Sequence, residues 1–264
     1  MALKLMKISA AAISAGALAL ILGSAVPSGA RADEADAKNL LKAMSDYLAA
    51  QQAISFKYDA NIEVVTKEEQ KLQLASSGAV TLVRPDKLRA TRSGGFVDAE
   101  MLFDGKTLTL LGKNANVYTQ VDVPGTVDHL IDELRDKFSK PLPAADLLMA
   151  GAYDKLMADV TDVKDLGSGV IGGVECNWFA FRAKEVDWQI WIAPGADPYP
   201  CRYVITTKQV TGSPQFSIQI SDWKVGKAVA ADDFAFTAPA GAKKIDIKDL
   251  ADEMPKNFTM GGGQ

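Results

Sequence analysis

The chain has 264 residues, with 29 Lys and Arg against 33 Asp and Glu, one His and two Cys. At 48% hydrophobic and 23% charged its composition is that of an ordinary globular protein, which argues against disorder. The net charge of −4 lacks the basic footprint of a nucleic-acid binder, and so few His and Cys exclude a multi-histidine metal centre, a four-cysteine zinc site and a disulfide-dense scaffold.

Residues 1–32 read as a cleaved signal peptide. Lys4 and Lys7 form a positive start. An Ala/Leu-rich run follows over 8–26, and Pro27, Ser28 and Gly29 break it. Ala30-Arg31-Ala32 supplies the small-x-small pattern for cleavage between Ala32 and Asp33. A retained anchor is the competing reading; the Ala, Ser and Gly content of the run and the cleavage pattern at its end speak against it. Removing this segment takes Lys4, Lys7 and Arg31 and no acid, shifting the net charge from −4 to −7. An acidic secreted protein of the bacterial periplasm is expected, in a compartment where both Cys meet oxidising conditions.

In the mature chain, 35–51 reads as a helix. Ala37, Leu40, Leu41, Met44, Tyr47 and Leu48 form one stripe at helical spacing. The period then drops to two. In 54–64, Ile54, Phe56, Tyr58, Ala60, Ile62 and Val64 alternate with Ser55, Lys57, Asp59, Asn61 and Glu63, so one strand face is apolar and the other wet. The stretch 72–82 repeats the pattern with Leu72, Leu74, Val80 and Leu82. Further strands are predicted over 87–92, 97–103, 107–111 and 116–121, with Asp104-Gly105 as a type I′ hairpin signal.

Two helices follow. Thr126 caps the first, whose stripe is Val127, Leu130, Ile131, Leu134 and Phe138. Pro141 and Pro143 impose an extended stretch. A second helix is expected from near Ala144, burying Leu147, Leu148, Leu156 and Met157. Strands return over 162–166, 174–183, 186–193, 201–210 and 215–225, where Phe216, Ile218 and Ile220 share a face, and a last short one over 233–237. A domain over 33–250 and a flexible tail over 251–264 complete the chain.

About ten strands and three helices joined by short turns define an α+β protein built on an antiparallel meander. A sheet this large with one apolar face curls, and only the helices offer apolar surface to cover it. The predicted object is a strongly curved antiparallel sheet with helices in its concave face, which leaves an apolar cavity wherever the helices do not fill it.

The chemical motifs are weak. Gly167-Ser168-Gly169-Val170-Ile171-Gly172 matches a dinucleotide pattern in letters, but a strand follows it instead of a helix, so it reads as a glycine-rich turn. His129, beside Asp128 and Asp132, reads as a surface or half-buried helix residue, and no nucleophile elbow accompanies it. The carboxylates select neither a glycosidase pair nor a calcium loop. No cofactor and no catalysis are expected. Cys176 and Cys201 fall on strands two apart, ~9.5 Å in a flat sheet and beyond disulfide reach. Both lie near strand starts, where pairing shifts, so a disulfide and two buried free thiols both stay open. In Asp187-Trp188-Gln189-Ile190-Trp191-Ile192 the two Trp fall on opposite faces; with Trp178, Phe179, Phe181 and Tyr203 they predict an aromatic cluster, read as ordinary core or as an apolar lining.

The segment Val186-Asp187-Trp188-Gln189-Ile190-Trp191-Ile192, followed by Pro198-Tyr199-Pro200-Cys201-Arg202-Tyr203-Val204-Ile205-Thr206, resembles the predicted periplasmic proteins grouped as domain of unknown function 2092. Phe103-Asp104-Gly105-Lys106-Thr107-Leu108, Pro143-Ala144-Ala145-Asp146-Leu147-Leu148 and Phe236-Thr237-Ala238-Pro239-Ala240-Gly241-Ala242 support it. The resemblance spans roughly residues 35–247 and implies no particular activity. The order of elements also resembles the wider superfamily of periplasmic lipoprotein carriers of the LolA and LppX type. That resemblance implies a half-open barrel that holds acyl chains on its concave side. A sensor branch of the superfamily shares the fold but carries a second domain, for which this chain leaves no room.

The leading expectation is therefore a non-catalytic periplasmic binding or carrier protein for a lipid, a lipoprotein acyl chain or another apolar ligand, with transient membrane contact. Its candidate lining is Phe56, Tyr58, Ile62, Leu74, Leu82, Trp188, Phe216 and Ile218. The middle helices and the stretch 141–143 are the candidate lid. The alternative is an envelope protein-interaction module, a sensor or assembly factor that presents the concave face to a protein partner without lipid.

Overall fold

The computed structural model describes residues 34–138, 140 and 142–249. The expected leader with its cleavage point, Pro141 and the expected tail lie outside the described residues. Helix α1 (Glu34–Ala50) precedes strands β1 (Ala53–Val65), β2 (Lys71–Val83), β3 (Lys87–Gly94), β4 (Asp98–Phe103), β5 (Thr107–Gly112) and β6 (Val117–Asp122). Helix α2 (Val127–Asp136), a 3₁₀ turn (Ala145–Leu148) and helix α3 (Ala152–Met157) follow. The chain then builds β7 (Val160–Ile171), β8 (Val174–Ala183), β9 (Val186–Ile192), β10 (Pro200–Thr207), β11 (Gln215–Val225) and β12 (Lys243–Lys244).

The strands form one curved, unclosed sheet in the order β12-β6-β5-β4-β3-β2-β1-β11-β10-β9-β8-β7. Instead of a single meander there are two, β1–β6 and β7–β11, joined where β1 pairs antiparallel with β11. The count among the described residues is twelve, against about ten expected, and β12 adds to β6 in parallel.

The helices cover the concave face because their apolar stripes have nowhere else to go. Ala37, Leu41, Met44 and Leu48 of α1 are fully buried, and α1 lies against β7 and β9. Each Leu buried in this way is worth about 1.5–3 kcal/mol. In α2 the buried residues are Val127, Leu130, Ile131 and Leu134, and Thr126 accepts a bond from the His129 N–H at 3.2 Å, the expected N-cap. Opposite the helices, alternate residues of the strands point inward: Ile54, Phe56 and Ala60 of β1, Leu82 of β2, Leu88 of β3 and Phe103 of β4 are buried in the same core.

Several local expectations are corrected. The continuous helix from Ala144 is split into the 3₁₀ turn and α3. Ala144 sits at φ 67°, and Gly151, a weak helix former, lies at the start of α3. The glycine-rich stretch 167–172 is a turn only at its last residue. Strand β7 runs to Ile171 with an irregularity between Asp165 and Ser168, and the chain reverses at Gly172-Gly173, both with positive φ. The Asp104-Gly105 hairpin exists, but only Gly105 has positive φ, whereas a type I′ turn needs two such residues. Asp104 instead accepts the N–H groups of Lys106 and Thr107 at 2.9 and 2.7 Å. The segment 233–237 forms no strand. It crosses the outer sheet face, tied by Arg89 to Asp232 at 2.9 Å and by Phe236 on the Tyr118 ring at 5.0 Å. The short final strand is β12 instead.

Candidate functional site

Between the strands β1–β4 and β11 and the segment that carries α2 and the 3₁₀ turn lies a cavity of about 210 Å³. The sheet supplies Phe56, Tyr58, Ala60, Ile62, Ser76, Val80, Leu88, Ala90, Arg92 and Met101, with Phe216, Ile218, Ile220 and Trp223 from β11. The helical side supplies Val127, Ile131, Leu142, Leu147 and Leu148. Of the expected lining, Phe56, Tyr58, Ile62, Phe216 and Ile218 are brought together here. Leu82 and Trp188 do not line it: both are packed into solid core, at 0% and 3% exposure. Leu74 is half-buried opposite Ile62 near the sheet end, also outside the lining.

Trp223 escapes sequence reading for a geometric reason. In β11 the alternation that turns Phe216, Ile218 and Ile220 inward would point Trp223 outward. Ser55 pairs with Lys224 and Lys57 with Ser221, so Phe56 faces both Asp222 and Trp223. This bulge, with Asp222 at φ 51°, shifts the register and re-aims Trp223. Its ring stacks between Phe56 at 5.6 Å and Tyr199 at 5.2 Å. Arg92 was legible: it continues the inward parity of Leu88 and Ala90, and a charged side chain in that position is the signal.

The helical side is held by polar contacts. The Arg84 guanidinium donates to Leu148 O at 2.6 Å and Leu48 O at 3.4 Å and lies 3.8 Å from Asp128. Burial lowers its pKa from the ordinary value, and the Asp128 charge opposes that shift. Asp128 also accepts the Ala150 N–H at 2.9 Å, and Ser45 accepts that of Tyr153 at 3.0 Å. Lys155 and Arg135 both donate to Asp132 at 2.6 Å; the Lys155 bond is the largest cause of a carboxyl held below its usual range.

The aromatic stretch divides between two faces. Trp188 is buried, stacked on Phe181 at 3.8 Å and edge-on to Tyr203 at 5.8 Å. Burial pushes the Tyr203 phenol up from its ordinary pKa, with the Asp146 charge as a second cause. Trp178 does not join this cluster. It stacks on Trp191 on the outer face at 5.1 Å, and Arg202 lies over the Trp191 ring.

Cys176 and Cys201 are brought to disulfide-bonding distance, with Cα atoms 7.0 Å apart. Strand β9 separates their strands but ends at Ile192, which pairs with Asn177 and Pro200. Cys176 therefore sits one residue past the last β8–β9 pair, and Cys201 is the extra residue at an irregularity between Pro200 and Arg202 in the β9–β10 register. They bury each other at 0% and 2% exposure beside Ala193.

His129 is exposed on α2. Among the described residues no group of three or more His, Cys, Asp or Glu has metal-holding geometry, and no helix is long and apolar enough to cross a membrane. A larger outer cleft of about 430 Å³ lies under the segment that crosses β3–β6. Its charged walls already pair with one another: Arg89 with Glu100 at 2.6 Å, and Lys113 with Glu100 at 3.4 Å.

The model of the predicted periplasmic protein family DUF2092 matches residues 37–248. The chain belongs to this family. The matched residues of this DUF2092 member take in both strand blocks and the helices between them. No curated protein matches the chain. Among solved structures, the DUF2092 chain is similar to LprF from Mycobacterium bovis, at 15% identity over 76% of this chain and 98% of that one, with a TM-score of 0.46. It is also similar to the lipoprotein LppX from Mycobacterium tuberculosis, at 14% identity over 76% and 100%, with a TM-score of 0.37. A third likeness is to the Pseudomonas aeruginosa MucA/MucB complex, at 13% identity over 77% of this chain and 62% of that one, with a TM-score of 0.43.

Proposed function

We propose that this protein is a non-catalytic periplasmic binding or carrier protein that holds a lipid, a lipoprotein acyl chain or another apolar ligand between its sheet and its helices. The observation that carries the reading is the cavity: a concave space walled by aromatic and aliphatic side chains from six strands and the α2 region. Each methylene moved into it from water contributes about 0.8 kcal/mol. At about 210 Å³ the space is smaller than a typical ligand pocket of ~300–1,000 Å³, so a ligand with several chains requires the lid to move. The part that moves is the segment 142–157, which opens by breaking the contacts of Arg84 with Leu148, Asp128 with Ala150 and Asp132 with Lys155. Residues 1–32 serve as the leader, with cleavage after Ala32. In this reading the Cys176–Cys201 bond forms in the oxidising periplasm and pins the ends of β8 and β10.

The test is native mass spectrometry of the mature protein purified from its own periplasm, followed by organic extraction. A recovered lipid is the expected result and identifies the ligand class. A clean apo mass, unchanged after incubation with membrane lipids, overturns the reading.

A further inference from the structure

Arg202, on the outer face of β10, is a cation without a counter-ion. Among the described residues no hydrogen bond or ion pair joins its side chain to another group, and its buried Nε has no acceptor. The carboxylates of the surrounding strands are engaged elsewhere. Asp222 pairs with Lys57 at 2.8 Å, and Asp187 lies 3.5 Å from both Lys208 and Arg182. Asp59 accepts from Ser77, and Glu175 accepts from Ser168 at 2.8 Å. Arg202 itself is half-buried, and a cation placed there with an unsatisfied donor costs free energy that an incoming oxygen recovers.

The neighbours of Arg202 hold its head in place. Its cross-strand partners are Trp191 on β9 and Gln219 on β11. The guanidinium carbon lies 5.7 Å from the centre of the Trp191 ring. That ring is stacked in turn on Trp178, whose Nε1–H donates to Gln189 at 3.1 Å. Gly169 is required by this ladder, because a Cβ there would fall 2.9 Å from Trp191 Nε1. On the other side, the Gln219 amide also has no hydrogen-bond partner among the described residues. Its Nε2 reaches toward the turn between β7 and β8, 3.9 Å from where a Cβ on Gly172 would stand. The turn adds no side chain at this point: Gly172 and Gly173 adopt φ 58° and 86°, a conformation that favours glycine. Two neighbouring donors, the guanidinium and the amide, thus share one patch with no protein acceptor for either.

We infer that the outer face carries a binding site for a carboxylate, held by the Arg202 guanidinium with the Gln219 amide as a second donor. The planar fork of a guanidinium matches the two oxygens of one carboxylate. With a single cation in the site, a singly charged carboxylate is neutralised, whereas a phosphate monoester, with close to two charges at neutral pH, is not. The stack on Trp191 orients the guanidinium before the ligand arrives, so little side-chain freedom is lost on binding. The site lies on the opposite sheet face from the cavity and does not depend on the proposed function. The carboxylate belongs to a small organic acid or to the C-terminus of a peptide, and the probes below separate the two.

The experiment titrates the mature protein at constant ionic strength with acetate, acetamide, inorganic phosphate and N-acetyl-glycylglycine. Binding is read from the Arg202 Nε–H and Trp191 Nε1–H signals in heteronuclear NMR spectra. The two carboxylates are expected to shift both signals saturably, and acetamide, the neutral isostere, to shift neither. Arg202→Gln, followed at Trp191, is expected to weaken acetate at least tenfold. Arg202→Lys keeps the charge without the fork and retains part of the affinity, and Gln219→Ala weakens acetate by about threefold to tenfold. Circular dichroism checks that the variants fold, and the wild-type titrations decide the matter even if they do not. Acetyl-glycylglycine bound at least tenfold more tightly than acetate assigns the site to peptide ends, and comparable affinity assigns it to small acids. The absence of a saturable shift overturns the site, as do acetamide acting like acetate, phosphate binding more tightly than acetate, and undiminished affinity in Arg202→Gln. Decanol, an apolar probe for the cavity, should leave acetate binding unchanged. Competition between the two places them in one site and overturns the outer-face assignment alone, leaving the cavity reading intact.

Discussion

Tyr58 lies across the sheet face directly over Gly78. Its hydroxyl donates to Thr91 O on β3 at 2.9 Å, and a Cβ built on Gly78 would fall 2.6 Å from the Tyr58 ring and closer still to Thr91 O. The glycine is required because an aromatic ring occupies the place of its side chain. This arrangement lays Tyr58 flat as part of the cavity floor instead of letting it stand into the space.

Gly78→Ala is therefore expected to destabilise the fold by about 1–3 kcal/mol, the usual effect of overpacking. The Tyr58 ring must lift into the cavity and reduce its capacity. Urea unfolding gives the first quantity and decanol titration the second. A variant as stable as the wild type with undiminished binding contradicts the packing described.

Arg84 joins the end of α1 to the 3₁₀ turn through Leu48 O and Leu148 O. Arg84→Met keeps much of the apolar stem and removes the donors. A loss of about 1.5–3 kcal/mol is expected, together with faster amide exchange over the 3₁₀ turn and α3. If exchange accelerates evenly over the whole sheet instead, the arginine supports the fold at large and does not latch the lid.

The Cys176–Cys201 bond closes a loop with a sequence separation of 25. Chain-entropy arguments assign such a loop about 3 kcal/mol. Dithiothreitol should lower the urea midpoint of the wild type by a corresponding amount and leave the Cys176→Ser, Cys201→Ser double variant unmoved. Two reactive thiols in the denatured, unreduced wild-type protein would show that the bond does not form.

Asp132 predicts an acid-sensitive lid contact. Its carboxyl is held below the ordinary value, chiefly by Lys155. A depressed folded pKa contributes stability above the unfolded value of about 3.9, lost as the pH falls through the folded value. Wild type should thus exceed Asp132→Asn in stability at pH 6, with the gap closing below about pH 4. Both partners are more than a third exposed, so the gap is small. A gap that persists at pH 2.5 rules out the Asp132 charge as its source.

Much of this architecture was legible in one dimension. The stripe of α1 and the alternation of β1 follow from helical and strand periods, which are local properties of the backbone. The curled sheet with helices in its concave face then followed from the need to cover one apolar face. The inward parity of Phe56, Tyr58, Ile62, Phe216 and Ile218 was equally local. What parity does not tell is whether an inward residue meets a neighbour or a void. Leu82 and Trp188 point inward like the others, yet the first is sealed in the core and the second is sandwiched by Phe181 and Tyr203.

The sequence by itself determined most of the elements, the sheet face of residues in the regular parts of the strands and the family signature, because these depend on short-range spacing and residue type. Only the tertiary structure decided that β1 pairs with β11, that a bulge at Asp222 turns Trp223 inward, and that a register irregularity at Cys201, next to the end of β9, lets it meet Cys176. Each of these depends on register between strands distant in sequence. Register is set by the packing of the whole sheet, and a shift of one residue reverses every face it governs.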